Sequence, residues 1–269
     1  MQTAATIERC DSRVGIEGRE AGLSLPPARQ GAAQAPPSKC AGCGTRQIAI
    51  CAAVPAQELA RFSAAATTVR IEPGHRFMDE GEAADNFFIV TNGTAKLLKM
   101  LPDGRQQITS FVGDGDFLGL AFLTQYSYSA EAITAMRLCR FSRPRMRQLF
   151  ADFPLMEKRL LASACHELVL AQEQMLLLGR KSACERLASF LVDWARKAEP
   201  ATAPGGLHRQ ILAKLPMSRA DIGDYLGMRI ETVSRTLRLL KTAGVIATAP
   251  GWDIMVQDLA GLEAMSGNA

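Results

Sequence analysis

The chain has 269 residues, a little under two domains at the usual ~150 residues each. Lys plus Arg number 31 against 27 Asp plus Glu, a formal charge of +4 that permits a local nucleic-acid patch without demonstrating one. With 48% apolar residues, global disorder is excluded, and no stretch approaches the ~18 apolar residues of a membrane span. The start, MQTAATIERCDSRVG, has no basic run followed by an apolar core, so no secretory leader is expected. The seven cysteines are therefore expected in a reducing cytoplasm, where clustered thiols point to metal or redox chemistry rather than to disulfides.

Residues 1–38 carry Pro26, Pro27, Pro36 and Pro37 and no apolar period, which reads as a flexible tail. Residues 39–152 read as a cysteine-bearing loop followed by a β-rich sensor domain. Cys40, Cys43 and Cys51 open it, and a short helix is expected at 56–63 behind Pro55. Short β-prone runs then alternate with glycines: FFIV at 87–90, AKLLKM at 95–100 and QITSF at 107–111. That texture predicts an antiparallel barrel or roll.

Residues 153–180 read as one long helix. Leu161, Ala164, Leu168, Ala171, Met175 and Leu178 step by three and four, the seam of a two-stranded coiled coil and hence a homodimer. A helix packed on its own domain is the alternative. No charge falls on those positions, so the seam should favour association. Another amphipathic helix is expected over 182–197, and 198–208 reads as a loop.

The rest of the 181–269 segment reads as a DNA-binding domain. MSRADIGDYLGMRIETVSRTLRLLKT, at 217–242, holds a capping-box start at Ser218 and Asp221. Ala220, Ile222 and Leu226 are expected on one apolar face, and Gly227 at a sharp turn. A second helix is expected over 230–242, with Val233, Leu237 and Leu240 inward. Two short helices joined by a glycine turn form a helix-turn-helix. The second helix would enter the major groove with Glu231, Thr232, Ser234, Arg235 and Arg238 outward. Glutamate can accept from cytosine and arginine can pair bidentately with guanine. Lys214, Arg219, Arg229 and Lys241 are candidates for phosphate contacts, which position the domain on duplex DNA. Residues 245–256 around Pro250 and Gly251 read as a hairpin wing.

The order of β-roll, long helix and winged helix-turn-helix, over roughly residues 39–265, resembles the CRP/FNR superfamily of bacterial transcription regulators. The most specific likeness is Glu231-x-x-Ser234-Arg235, similar to the recognition signature of FNR-type members. The resemblance implies that these residues read a TTGAT…ATCAA-like palindrome and that the protein touches RNA polymerase. Exposed roll loops such as 102–105 are candidates for that contact. Gly113-Asp114-Gly115-Asp116-Phe117-Leu118-Gly119 is similar to the family's roll motif. In cyclic-nucleotide-binding members a glutamate and an Arg-Ser pair follow it. Here Leu120 and Tyr128-Ser129 stand at those positions. A phosphate buried without a cation is costly, so no cyclic nucleotide is expected.

Cys40-x2-Cys43-x7-Cys51 is similar to the ligand set of FNR-type oxygen sensors, notably the FnrN/AadR-like branch. The resemblance assigns the fourth ligand to Cys139. Four thiolates suit a [4Fe–4S] cluster, one sulfur per iron. Gly44 is expected to let the backbone approach it. A zinc site or a thiol switch at the same residues stays open. So does a β-roll small-molecule sensor; His75 and Met100 are the only suggestion of haem ligation. Cys10 reads as a tail thiol, and Cys165 and Cys184 as helix packing residues. His75 reads as a turn residue, His166 as off the seam and His208 as a loop residue. No catalytic triad, carboxylate pair or phosphate loop is present, so no enzyme is expected.

Overall fold

The structure, a computed structural model, describes residues 39–120, 124–198, 210–249 and 253–267. The expected tail at 1–38 with Cys10, nearly all of the 198–208 loop with His208, and the wing tip at Pro250 and Gly251 lie outside them.

The described chain opens with turns that end in a 3-10 turn at Ile50–Ala53, followed by a second at Ala56–Glu58 that runs into helix α1 (Leu59–Ala65). Strands β1 (Thr67–Ile71), β2 (Arg76–Met78), β3 (Asn86–Asn92), β4 (Ala95–Met100), β5 (Gln106–Val112), β6 (Phe117–Leu118), β7 (Ser129–Ala132) and β8 (Met136–Ser142) follow. They form two four-stranded sheets, ordered β1-β8-β3-β6 and β2-β7-β4-β5, with antiparallel pairing throughout. This is the β-roll that the spacing of short strands predicted. In β8 the alternation decides the two faces: Met136 and Leu138 enter the roll interior, while Cys139 and Phe141 point to the other side. Val90, Leu97, Val112 and Leu118 fill the interior beside them. Gly119 turns the chain at φ +92°, where a Cβ would lie 2.7 Å from the Asn86 carbonyl oxygen, so only glycine fits.

The outer face of the first sheet is covered by the N-terminal segment. Ile50, Cys51, Val54 and Phe62 pack with Phe87, Ile89 and Phe141, and with Met156 and Leu160 further along the chain. The rings of Phe62 and Phe141 lie 5.2 Å apart.

Helix α2 (Arg143–Asp152) and helix α3 (Pro154–Arg180) meet at Phe153, where Pro154 starts a new helix at its first position. The 27 residues of α3 span about 40 Å. Met156, Leu160 and Leu177 are buried. Between them an apolar face stands open: Leu161 is 65% exposed, Leu168 60% and Met175 65%. Val169, Leu170 and Leu176 widen it beyond the narrow seam expected. Leu178 departs from that seam, because it packs against the DNA-binding domain of its own chain beside Gly227. Cys165 also departs from expectation. It is exposed on α3 rather than packed.

The last domain comprises α4 (Ala183–Ala198), β9 (Ile211–Ala213), α5 (Arg219–Leu226), α6 (Ile230–Thr242), β10 (Ile246–Thr248), β11 (Ile254–Val256) and α7 (Leu259–Met265). Its sheet runs β10-β11-β9, so the expected two-stranded wing gains a third strand. One core joins Leu187, Leu191, Ile222, Leu226, Val233 and Leu240.

Candidate DNA-reading face and cysteine site

The helix-turn-helix is built by local rules. Ser218 accepts from the Asp221 N–H, and the Asp221 carboxylate accepts from the Ser218 N–H, so α5 begins in a full capping box. Gly227 ends it in the left-handed region at φ +62°. Ile222, Gly223 and Leu226 are its buried face. Ala220 is exposed, not inward as expected. The inward place goes to Gly223, where a Cβ would sit 2.6 Å from the Met228 carbonyl oxygen, so the turn comes too close for a side chain.

Helix α6 covers the expected residues, with Val233 and Leu240 buried. Its outward face holds Glu231, Ser234, Arg235 and Arg238 around a shallow open hollow, with Ile230 at the rim. Thr232 is half-buried, and its carbonyl accepts from the Thr236 hydroxyl. Lys214 and Arg229 are exposed, the latter at the N-cap of α6. Two other phosphate candidates have partners: Arg219 Nη1 donates to Ser234 Oγ at 3.3 Å, and Lys241 Nζ to Thr248 Oγ1 at 3.3 Å.

The β-roll grips α5, a contact with no sequence signal. Lys96 of β4 pairs with Asp221 at 2.8 Å and with Glu131 at 3.1 Å. Although burial pushes the Asp221 carboxyl up, Lys96 and Ser218 hold it below its ordinary value. From β5, Gln106 reaches Asp224, Gln107 donates to the Tyr225 carbonyl, and Phe111 packs among Phe190, Trp194 and Tyr225.

The cysteine site draws on both ends of the sensor domain. Cys40 and Cys43 share one turn, with the Cys43 N–H donating to the Cys40 carbonyl at 3.3 Å. Cys51 is buried in the first 3-10 turn. Cys139 lies in β8 between Thr68 of β1 and Ile89 of β3, on the face the N-terminal segment covers. Burial, and after it the neighbouring Cys43, Cys40 and Cys139, push the Cys51 thiol up to about 11. Cys139 is likewise raised to about 11 by burial, then by Cys40 and Cys43. Burial raises Cys40 too, against a hydrogen bond from Ser63 and the charge of Arg46. The four thiols are thus one electrostatic group, and ionising them together calls for a positive centre. Thr45 is buried, and its hydroxyl lies 3.2 Å from Cys43 Sγ. Among the described residues, no three His, Cys, Asp or Glu side chains converge on a point as one bare ion would require. A [4Fe–4S] cluster would take one thiolate sulfur per iron. Open space surrounds Gly44: nothing lies within 4 Å of where its Cβ would be. Cys184 packs against the DNA-binding core as expected.

A cavity of about 320 Å³ lies between the roll motif and α3. Leu120, Tyr128, Ile48, Leu160 and Glu167 are among its walls, and none of the described residues lining it is basic. Ser129 is turned elsewhere, accepting from the Glu80 N–H.

A β-roll joined by a long helix to a winged helix-turn-helix defines a DNA-binding regulator rather than an enzyme. Residues 68–153 match the cyclic nucleotide-binding domain family, and residues 185–265 match the Crp-like helix-turn-helix domain. The transcriptional activatory protein AadR of Rhodopseudomonas palustris is 40% identical over 208 residues, 77% of this chain and 85% of its own. A nitrogen fixation regulation protein FixK of Bradyrhizobium diazoefficiens is 38% identical, covering 84% and 93%. The transcriptional activator FnrL of Cereibacter sphaeroides is 33% identical, covering 86% and 92%. The structure of FixK2 from Bradyrhizobium japonicum superposes with a TM-score of 0.67 at 34% identity, covering 74% of this chain and 96% of that one. The chain belongs to the Crp/FNR family of transcription regulators. It binds DNA through its helix-turn-helix and has the fold of a dimeric regulator. FixK-named and Fnr-named relatives stand side by side, so family membership alone assigns no cofactor.

Proposed function

We propose that this protein is a cytoplasmic oxygen-responsive regulator. In this reading Cys40, Cys43, Cys51 and Cys139 hold a [4Fe–4S] cluster, and the protein binds an FNR-type palindrome as a homodimer when oxygen is low. One observation carries the reading. The segment bearing three cysteines is packed by an apolar cluster onto the strand face that presents the fourth. Four mutually coupled thiols suit the ligand set of such a cluster. When bound, the cluster supplies an oxygen-sensitive centre.

The chain's own residues connect that centre to DNA. Ile50 and Cys51 share their apolar cluster with Met156 and Leu160, so the set of the cysteine segment bears directly on the start of α3. The open face of α3, through Leu161, Ala164, Leu168, Ala171 and Met175, pairs two protomers. Pairing sets two α6 helices about one DNA turn apart, ~34 Å, as a palindrome requires. Glu231, Ser234 and Arg235 read base edges, while Thr232, Arg219, Arg229 and Arg238 support or flank them. RNA polymerase is the further partner, met by exposed roll loops such as the β4–β5 turn at Pro102–Arg105. No cyclic nucleotide is expected as the ligand, because the described residues lining the cavity at that position include carboxylates and none that is basic.

The test is fluorescence anisotropy on a TTGAT…ATCAA duplex. It compares anaerobic protein, the same sample after air exposure, and Cys139→Ala. Tight binding by the first alone is expected. Equal affinity in all three would overturn the reading and leave a thiol switch, a zinc staple or a cavity ligand as the signal.

A further inference from the structure

We propose that Arg46 is the built-in counter-charge of the cysteine site, a positioning residue that holds the cluster and sets how readily it is lost. The proposal rests on the cluster reading above. Arg46 sits between Cys43 and Cys51, and its N–H donates to the Cys43 carbonyl at 3.2 Å. Its Nη2 donates to the Val54 carbonyl at 3.0 Å, which lays the side chain across the turn holding Cys51. Its Nε is buried and has no hydrogen-bond partner among the described residues. Nor does any described carboxylate form an ion pair with it.

A guanidinium cannot discharge by losing its proton, so a buried, unpaired donor on it is costly. A cluster with four thiolate ligands is a net anion, and it would supply the missing partner. The neighbouring groups point the same way. The Thr45 hydroxyl lies 3.2 Å from Cys43 Sγ and Ser63 hydrogen-bonds Cys40, so polar groups face these sulfurs. Arg46 adds the charge, which reaches Cys40. Outer-shell groups of this kind orient ligands and tune the metal centre they surround.

The experiment compares anaerobically purified wild type, Arg46→Gln and Arg46→Lys by iron and sulfide content, cluster midpoint potential and iron loss in air-saturated buffer. Arg46→Gln is expected to lose iron about tenfold faster than wild type, the lower end of what removing an outer-shell partner does. Its potential should also fall, since the reduced, more negative cluster has lost a cation. Arg46→Lys keeps the charge and gives up the fork to Val54, so its potential should stay near wild type. Loading by Arg46→Lys but not by Arg46→Gln would also support the proposal. A potential and loss rate unchanged in Arg46→Gln would overturn it while leaving the cluster reading intact. So would equal shifts in both variants, or failure of both to load, because the Val54 bond would then be the cause. A wild type that binds no iron after reconstitution would overturn both.

Discussion

Arg235 and Glu231 stand exposed on α6, while Ser234 between them is held by Arg219 from the neighbouring helix. Arg235→Ala should weaken binding by about 1–3 kcal/mol at a matching guanine and relax specificity at that position. Titrations of single-base variants of the palindrome measure this, and an unchanged profile would misplace the recognition helix. The thiols predict a pH response of cluster-free protein. Folding raises Cys51 and Cys139 from 9.0 to about 11, so the folded state favours the neutral thiol. Their contribution to stability is complete below 9.0 and is lost as the pH rises toward about 11. The denaturation midpoint should fall across that window, and Cys51→Ala should flatten the fall. The outward face of α6 was legible because a helix face follows from spacing alone. Arg46 and Thr45 were not, because the meaning of each depends on which donors the folded loop leaves buried. Ala220 and Cys165 were misread for the same reason: exposure depends on neighbours from other elements.

Helix α3 carries the association argument. Its open face has no charge at Leu161, Ala164, Leu168, Ala171 or Met175, and Val169 and Leu176 extend the apolar strip. Such a surface gains by pairing whether or not the cysteine site is filled. Cluster-free protein at micromolar concentration should therefore sediment as a dimer, with oxygen altering the set of the helices rather than splitting the pair. Leu168→Glu should weaken association by about 3 kcal/mol, since it buries an unpaired charge in each half of the seam. A clean monomer of unsubstituted cluster-free protein would reject this. The length and period of α3 were legible from its repeating apolar residues. The end of the seam was not, because Leu178 has the right spacing but meets its own DNA-binding domain.

Across the whole molecule, the sensor domain reaches the reading domain by two routes. The cysteine segment bears on the start of α3, α3 leads into α4, and strands β4 and β5 hold α5 directly. Lys96 and Asp221 are only 12% and 14% exposed, so this ion pair is screened little by solvent and fixes α5 against the roll. The roll, long helix and winged domain were legible in order, because strand-turn rhythm, heptad spacing and capping signals are all local. The β4–β5 grip on α5 and the third strand of the wing were not, because each joins residues far apart in sequence.

Iron and acid-labile sulfide, counted together with a visible spectrum on protein purified without air, decide whether the four cysteines hold a cluster. About four of each per chain are expected, one iron for each of the four thiolates, with a broad absorbance that fades on exposure to air. Colourless protein that carries zinc or no metal, even after anaerobic reconstitution, would contradict the cluster reading.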